Sequence, residues 1–349
     1  MSRNRVRVGL VGWGLAGRTL HAPFIQVLTG FELVVAVTSR DIDPRLFPSA
    51  RRLPTFEVLL GDPSVELVVI ASPNAYHFEQ ALASLRAGKH VVCDKPLARS
   101  AGEVRALKSA AKEAGRLLIP FQNRRYDGDF RTLQQLLGSG ALGRVHAFES
   151  RWSKYQSAPR VRAAWKAEPG FNGPLWDLCP HLIDQAIALF GVPQQVFARI
   201  HQHRPQAAMH DFVRLSLLYE SGLEATLEVD QLDGFGGRYL ALRGLLGSFE
   251  KRGFDPQEAA LSAGAFPDSD SWGREPPESW GTLRALAGEE LKESRVETLV
   301  GDCRLFYQSV LAAIVDGQPP PIELDDVVVQ LQVIEAALRS QHSGEIVQL

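Results

Sequence analysis

The chain has 349 residues, 45% of them hydrophobic and 22% charged, with a net charge of -2. That length exceeds what one hydrophobic core usually serves and predicts two domains. The near-neutral balance leaves no electrostatic footprint for nucleic acid or an anionic membrane, and neither is expected as a partner. The basic start is followed by an apolar run only from Val8 to Val11, too short for a signal peptide. A strand is predicted at Val6–Val11 and a helix from Ala16 to Leu28, then buried strands at Leu33–Thr38 and Leu67–Ala71. A helix follows at about Ala75–Ala87, a strand at His90–Cys93, a helix at about Ala101–Ala114 and a strand at Leu117–Phe121. Continuous apolar strands alternating with helices indicate a parallel sheet covered on both faces, here over residues 1–121.

Beyond Gln122 the pattern changes. A helix at about Asp129–Leu137 leads into alternating strands at Val145–Trp152, Gln195–His201, Phe212–Tyr219, Leu223–Gln231 and Tyr239–Arg243. Alternation with tight turns predicts a mainly antiparallel, open-faced sheet with helices on one face, in a second domain over 122–349. An open face of that kind commonly finds a partner, so a homodimer or homotetramer through this sheet is expected. Residues Gly264–Trp280, rich in Pro, Asp, Ser and Gly, read as an irregular surface loop. Asp325–Arg339 has acids first and helical spacing, and reads as a final helix. No stretch approaches the length of a membrane span. Cys93, Cys179 and Cys303 lie far apart without a CxxC pair, read as small buried side chains, and fit a reducing, cytoplasmic compartment.

Gly12-Trp13-Gly14-Leu15-Ala16-Gly17 is a GxGxxG element set between the first strand and the first helix. Such glycines permit a tight turn, close approach of a pyrophosphate and close helix–strand packing, with helix amides donating to the phosphates. The second strand ends in Thr38-Ser39-Arg40, where an NAD enzyme usually places an acid. Ser39 and Arg40 suit a 2′-phosphate and favour NADP; Asp41 or Asp43 on the ribose, with Arg40 merely solvated, is the NAD alternative. Ser72-Pro73-Asn74 and His77, beyond the third strand, border the cofactor, although Ser72 and Asn74 also suit helix capping. Asp94 and Lys95 follow the next strand on the same rim. A lysine there stabilises the oxyanion that forms as hydride leaves a secondary alcohol, or is a plain exposed lysine.

Asp177 and His181, four apart, would share one face of a helix, although Pro180 argues for a helix start between them. His181 suits a general base with Asp177 orienting its ring or binding a hydroxyl; the bland use of such a pair is a cap or core hydrogen bond. No metal site is expected: His201 and His203 alternate on a strand, His210 adjoins Asp211, and no tight ligand pattern occurs, so these read as solvent-facing histidines.

GWGLAGRTLHAP, ASPNAYH, AGKHVVCDKPLA and LWDLCPHLIDQ, in this order, resemble the Gfo/Idh/MocA oxidoreductases over nearly the whole chain. The resemblance implies a Rossmann domain followed by an open-sheet domain that binds substrate and oligomerises, and aligns the family's EKP with Asp94-Lys95-Pro96 and its DxxxH with Asp177 and His181. Lys95, Asp177 and His181 are then the implied catalytic set. Within the family, HAP, TSR, QNRRYDGDF and DSWG are most similar to the NADP-dependent scyllo-inositol dehydrogenase branch. That likeness implies a polyol, cyclitol or sugar substrate, with Arg124, Tyr155, Trp165 and Lys166 as further pocket residues. Asp94 replaces the family's glutamate, and Cys179-Pro180 replaces a glycine and a small residue. The alternatives are an NAD-retaining, glycosidase-like enzyme and a non-catalytic dinucleotide-binding regulator of the same fold.

Overall fold

The computed structural model describes residues 5–156, 171–205, 207 and 209–349. Contacts divide the chain into two compact units, and these are not two consecutive segments. The first comprises Met1–Tyr126, Gln257–Trp272 and Asp302–Val328; the second Asp127–Pro256, Gly273–Gly301 and Val329–Leu349.

The first unit holds a six-stranded, wholly parallel sheet of β1 (Val6–Val11), β2 (Phe31–Val37), β3 (Arg51–Leu53), β4 (Leu67–Ile70), β5 (His90–Cys93) and β6 (Leu118–Pro120). The strand order is β3-β2-β1-β4-β5-β6, which reverses direction between β1 and β4. In such sheets ligands bind beyond the strand carboxyl ends at that reversal. Every residue of β4 is buried, as the unbroken LVVI run requires of a strand covered on both faces. Helix Ala101–Ala114 is fixed at both ends: Ser100 Oγ accepts the Glu103 N–H, and Gly115 closes it in the left-handed conformation. The predicted first helix is instead a π-helical turn, Ala16–His21, running into an α-helix, Ala22–Val27. Strand β3 and helix Phe56–Leu60 are too short to show in a periodicity reading.

The chain returns to this unit twice, in helices Gln257–Ser262 and Arg304–Asp316. The stretch expected as an irregular surface loop is irregular, but its part up to Trp272 is anchored in this unit. Trp272 is 5% exposed, its ring meets Phe24 at 6.4 Å, and its Nε1 donates to Gln257 Oε1 at 3.0 Å. Turn-forming residues dominated the composition of this stretch and hid the one aromatic that decides its fate.

The second unit holds nine strands: β7 (Val145–Ser153), β8 (Gln195–His201), β9 (Phe212–Leu218), β10 (Glu224–Asp230), β11 (Gly237–Gly244), β12 (Gly247–Arg252), β13 (Gly281–Ala287), β14 (Glu290–Val296) and β15 (Val347–Gln348). Their order is β14-β13-β12-β11-β7-β10-β9-β8-β15, antiparallel throughout except for the parallel pair β7 and β10. Phe148, Leu215, Leu227, Val229, Leu240 and Leu242 are buried on one face, where helix Cys179–Phe190 packs, Phe190 meeting Phe148 at 5.4 Å. The other face carries charge pairs across strands, among them Arg214 with Glu228 and Arg243 with Glu149. The hairpin β13–β14 lacks an alternating apolar pattern because nearly all of β14 is exposed, and sequence periodicity has nothing to register there. The final helix, Leu324–Ser343, is longer than predicted. Among the described residues no helix is long and apolar enough to cross a membrane.

Candidate active site

The glycine loop leaves β1 at the sheet's reversal point. Gly12 adopts φ +98°, and a Cβ there would lie 2.5 Å from the Ala71 carbonyl oxygen. A Cβ on Gly17 would lie 1.9 Å from the Gly12 carbonyl oxygen, so that glycine lets the helix start close against the loop. Gly14 differs: nothing lies within 4 Å of the position a Cβ would take. Two glycines thus serve internal packing and the middle one faces open space, the arrangement a pyrophosphate needs. Leu15 is exposed on the same turn, while the Trp13 ring is buried edge-on against Phe47 at 5.3 Å.

Arg40 reaches over this loop, its Nη1 3.5 Å from the Trp13 carbonyl oxygen, and its own N–H donates to Thr38 Oγ1 at 2.9 Å. Ser39 lies between them in a bend. Asp41 and Asp43 are engaged by other arginines, Asp41 with Arg52 at 3.0 Å and Asp43 with Arg45 at 2.8 Å. The side-chain and backbone hydrogen bonds from Arg45 hold the Asp43 carboxyl at about 2.

Beyond β4, Ser72 Oγ donates to Gln80 Oε1 at 2.6 Å, and Pro73 precedes a 3-10 turn, Asn74–Tyr76. His77 is buried, and its ring bridges two loops: Nδ1 is 2.8 Å from the Pro96 carbonyl oxygen and Nε2 2.9 Å from that of Ser72. It therefore ties the Ser72 loop to the Lys95 loop with both nitrogens committed to backbone. Asp94 and Lys95 follow β5, with the Lys95 N–H donating to Asp94 Oδ1 at 2.9 Å and a cis Lys95–Pro96 bond. Burial alone would raise the Asp94 carboxyl, but His21, Lys95 and His77 outweigh it and hold the group below its ordinary range. Arg124, expected in the pocket, is buried in an ion pair with Glu258 of the same unit.

In the second unit, Asp177 ends a short helix, Pro174–Asp177, and His181 lies in the first turn of helix Cys179–Phe190. The helix breaks at Leu178, so Asp177 and His181 flank a helix start. Pro180 sits in the first turn, where its missing N–H costs nothing. Cys179 is fully buried, and burial pushes its thiol far up. His181 is 6% exposed and stacks on Trp152, with ring centres 6.0 Å apart and planes 19° apart. Arg238 lies over the other partner: its guanidinium carbon is 5.8 Å from the Trp152 ring centre. Its Nη2 donates to Gln185 Oε1 at 2.6 Å, one turn after His181, and its Nη1 to Ser150 Oγ at 2.9 Å. Trp152 and Arg238 were not expected beside His181; their places on β7 and β11, two strands of mixed polarity, look ordinary in sequence. Tyr155 is exposed, and Trp165 and Lys166 lie outside the described residues.

His201 and His203 are exposed and pack on Phe212. His210 departs from the solvent-facing reading. It is half-buried, its Nε2 accepts the Leu175 N–H at 3.0 Å, and burial lowers its pKa to about 4. Among the described residues no group of His, Cys, Asp and Glu could hold a metal ion.

Comparisons with known proteins agree along the whole chain. Residues 6–121 match the oxidoreductase family with an NAD-binding Rossmann fold, and residues 130–250 match the GFO/IDH/MocA C-terminal domain. The chain is 34% identical over 346 residues to scyllo-inositol 2-dehydrogenase (NADP(+)) IolW of Bacillus subtilis, covering 99% of this chain and 96% of that protein. The YdgJ oxidoreductase of Escherichia coli is 36% identical over 97% of each chain. The solved structure of yvaA from Bacillus subtilis superposes with a TM-score of 0.95 at 34% identity, covering 99% of both chains. The chain therefore belongs to the Gfo/Idh/MocA family, as an NAD(P)-binding oxidoreductase with a Rossmann unit and an open-sheet unit.

Proposed function

We propose that this oxidoreductase is NADP(H)-dependent and interconverts a secondary alcohol and a ketone on a cyclitol or sugar. The observation that carries the cofactor choice is Arg40 held over the glycine loop while Asp41 and Asp43 are taken by other arginines. The cyclitol reading is supported by the likeness to scyllo-inositol 2-dehydrogenase and, over 53% of this chain at 30% identity, to levoglucosan dehydrogenase of Pseudarthrobacter phenanthrenivorans.

The nicotinamide, when bound, supplies the hydride acceptor. Gly12, Gly14 and Gly17 shape the loop that receives the pyrophosphate, and Ser39 and Arg40 hold the 2′-phosphate. Lys95 stabilises the developing alkoxide as a positive charge aimed where negative charge forms. His181 accepts the hydroxyl proton, its ring steadied by the Trp152 stack, and Asp177 holds a neighbouring hydroxyl or the ring. An unactivated alcohol is too weak an acid to ionise first, so proton and hydride leave together. The three cysteines are buried and form no disulfide, which suits a cytoplasmic enzyme, and the polar outer face of the nine-stranded sheet suits a homodimer or homotetramer.

The test is reduction of NADP⁺ and, in parallel, NAD⁺ across a panel of inositols, pentoses and hexoses. Turnover with a cyclitol or sugar that favours NADP⁺ is the expected result. Silence with every polyol, despite measured cofactor binding, would transfer the assignment to a glycosidase-like or regulatory relative.

A further inference from the structure

His21 and Tyr307 are both 0% exposed. Tyr307 Oη lies 2.6 Å from His21 Nδ1, and Phe121 packs on the imidazole at 4.2 Å. Its Nε2 faces Asp94 Oδ2 at 3.7 Å, within ion-pair range but too far for a hydrogen bond, and makes no hydrogen bond elsewhere. The second carboxylate oxygen of Asp94 accepts the Lys95 N–H. Burial, reinforced by the charge of Asp94, keeps the Tyr307 phenol neutral, and because the Nε2 edge faces the Asp94 carboxylate, which favours a proton there, the hydroxyl is the donor and Nδ1 the acceptor. Donation into Nδ1 leaves the ring proton on Nε2, the edge turned to Asp94. Both side chains are sealed from water, so this arrangement acts through orientation and field and carries no proton to solvent.

We propose that Tyr307 and His21 form a positioning pair that fixes the orientation and charge of Asp94 and, through it, the placement of Lys95. The proposal rests on Lys95 belonging to the chemistry. The titratable groups around Asp94 are His21 from the first helix, His77 from helix His77–Arg86, Tyr307 from helix Arg304–Asp316, and its neighbours Cys93 and Lys95. Of these, only the His21–Tyr307 couple has its tautomer set by a buried hydroxyl. Without that hydroxyl the Nε2 lone pair can turn to the carboxylate, which then holds a proton more readily.

The experiment uses the full chain, ¹⁵N-labelled at histidine, with and without NADPH. The expected spectrum of the unaltered protein shows His21 protonated at Nε2 and bare at Nδ1; the opposite tautomer overturns the proposal, whatever any variant does. In Tyr307→Phe the expected result is NADPH affinity within about twofold of the parent and kcat lower by roughly 10-fold, as for a group acting one shell removed. The acid limb of its kcat profile should also move to higher pH, a change that a merely structural tyrosine does not produce. Lys95→Ala separates the two ideas. If it retains full turnover, the assignment of Lys95 fails. If it is inactive while Tyr307→Phe keeps the parent's kcat and pH profile, the positioning pair fails.

Discussion

In the parallel-sheet unit the main chain places the candidate residues, whereas in the nine-stranded unit side chains do. Gly12, Ser72, Asp94 and Lys95 stand where they do because β1, β4 and β5 end there, and each strand is pinned by a buried parallel ladder. His181 depends on a stack of three side chains, Trp152, Arg238 and Gln185, drawn from two strands and its own helix. The first arrangement resists substitution, because few single side chains carry it. The second can be retuned residue by residue, which would suit the substrate-binding role proposed for it.

This contrast makes its sharpest forecast at His181 and Lys95. His181→Gln should lower kcat by roughly 10²–10⁴-fold, the usual worth of a positioned general base. Lys95→Ala should lower kcat by roughly 10²–10³-fold with NADPH binding nearly unchanged, as for loss of one oxyanion-stabilising group. Equal, small losses at both, read from steady-state kinetics, would remove them from the chemistry.

A second forecast concerns how the His181 segment is moored. The His210 ring accepts a backbone N–H from Leu175 and has a pKa of about 4, below the ordinary histidine value. Its neutral form therefore stabilises the fold fully above about pH 6.5, and that contribution drains away as pH falls from there toward about 4. The loss should reach the order of 3 kcal/mol, discounted for whatever water reaches the ring. Melting temperature against pH, compared with His210→Gln, reads it directly; identical slopes in the two proteins would refute the mooring. The smallest effect is expected on the nucleotide side. Arg40→Ala should weaken NADP⁺ by roughly 10–100-fold, the worth of a charge-assisted pair, and leave NAD⁺ unaffected. A parallel loss for both nucleotides would mean that Arg40 shapes the loop and does not select the phosphate.

The same contrast explains what was legible in the sequence. Strands of continuous Val, Ile and Leu, and a glycine triad at a strand end, announce a dinucleotide fold because backbone geometry demands those residue types. Within the triad, however, the sequence shows three equal glycines; only the fold separates Gly17, closed by the Gly12 carbonyl, from Gly14, with open space where a Cβ would point. Asp177 and His181 could be singled out by their spacing, and the helix start between them was signalled by Pro180. Trp152 and Arg238 were not, since an inward aromatic and an arginine on alternating strands carry no local signature. Trp272 and Tyr307 were hidden for another reason: their partners, Phe24 and His21, lie more than two hundred residues away in the chain.

That separation bears on how the chain emerges from the ribosome. An N-terminal domain commonly folds while the rest is still being made. Here the first unit lacks the helix Arg304–Asp316 until most of translation is over, and with it the aromatic that closes over His21. The nascent nucleotide-binding half must wait, partly assembled, with Phe24, Phe31 and Phe121 missing the ring that packs among them. A shortened transcript ending after the open sheet's last long strand would leave that half uncovered, a target for chaperones and proteases.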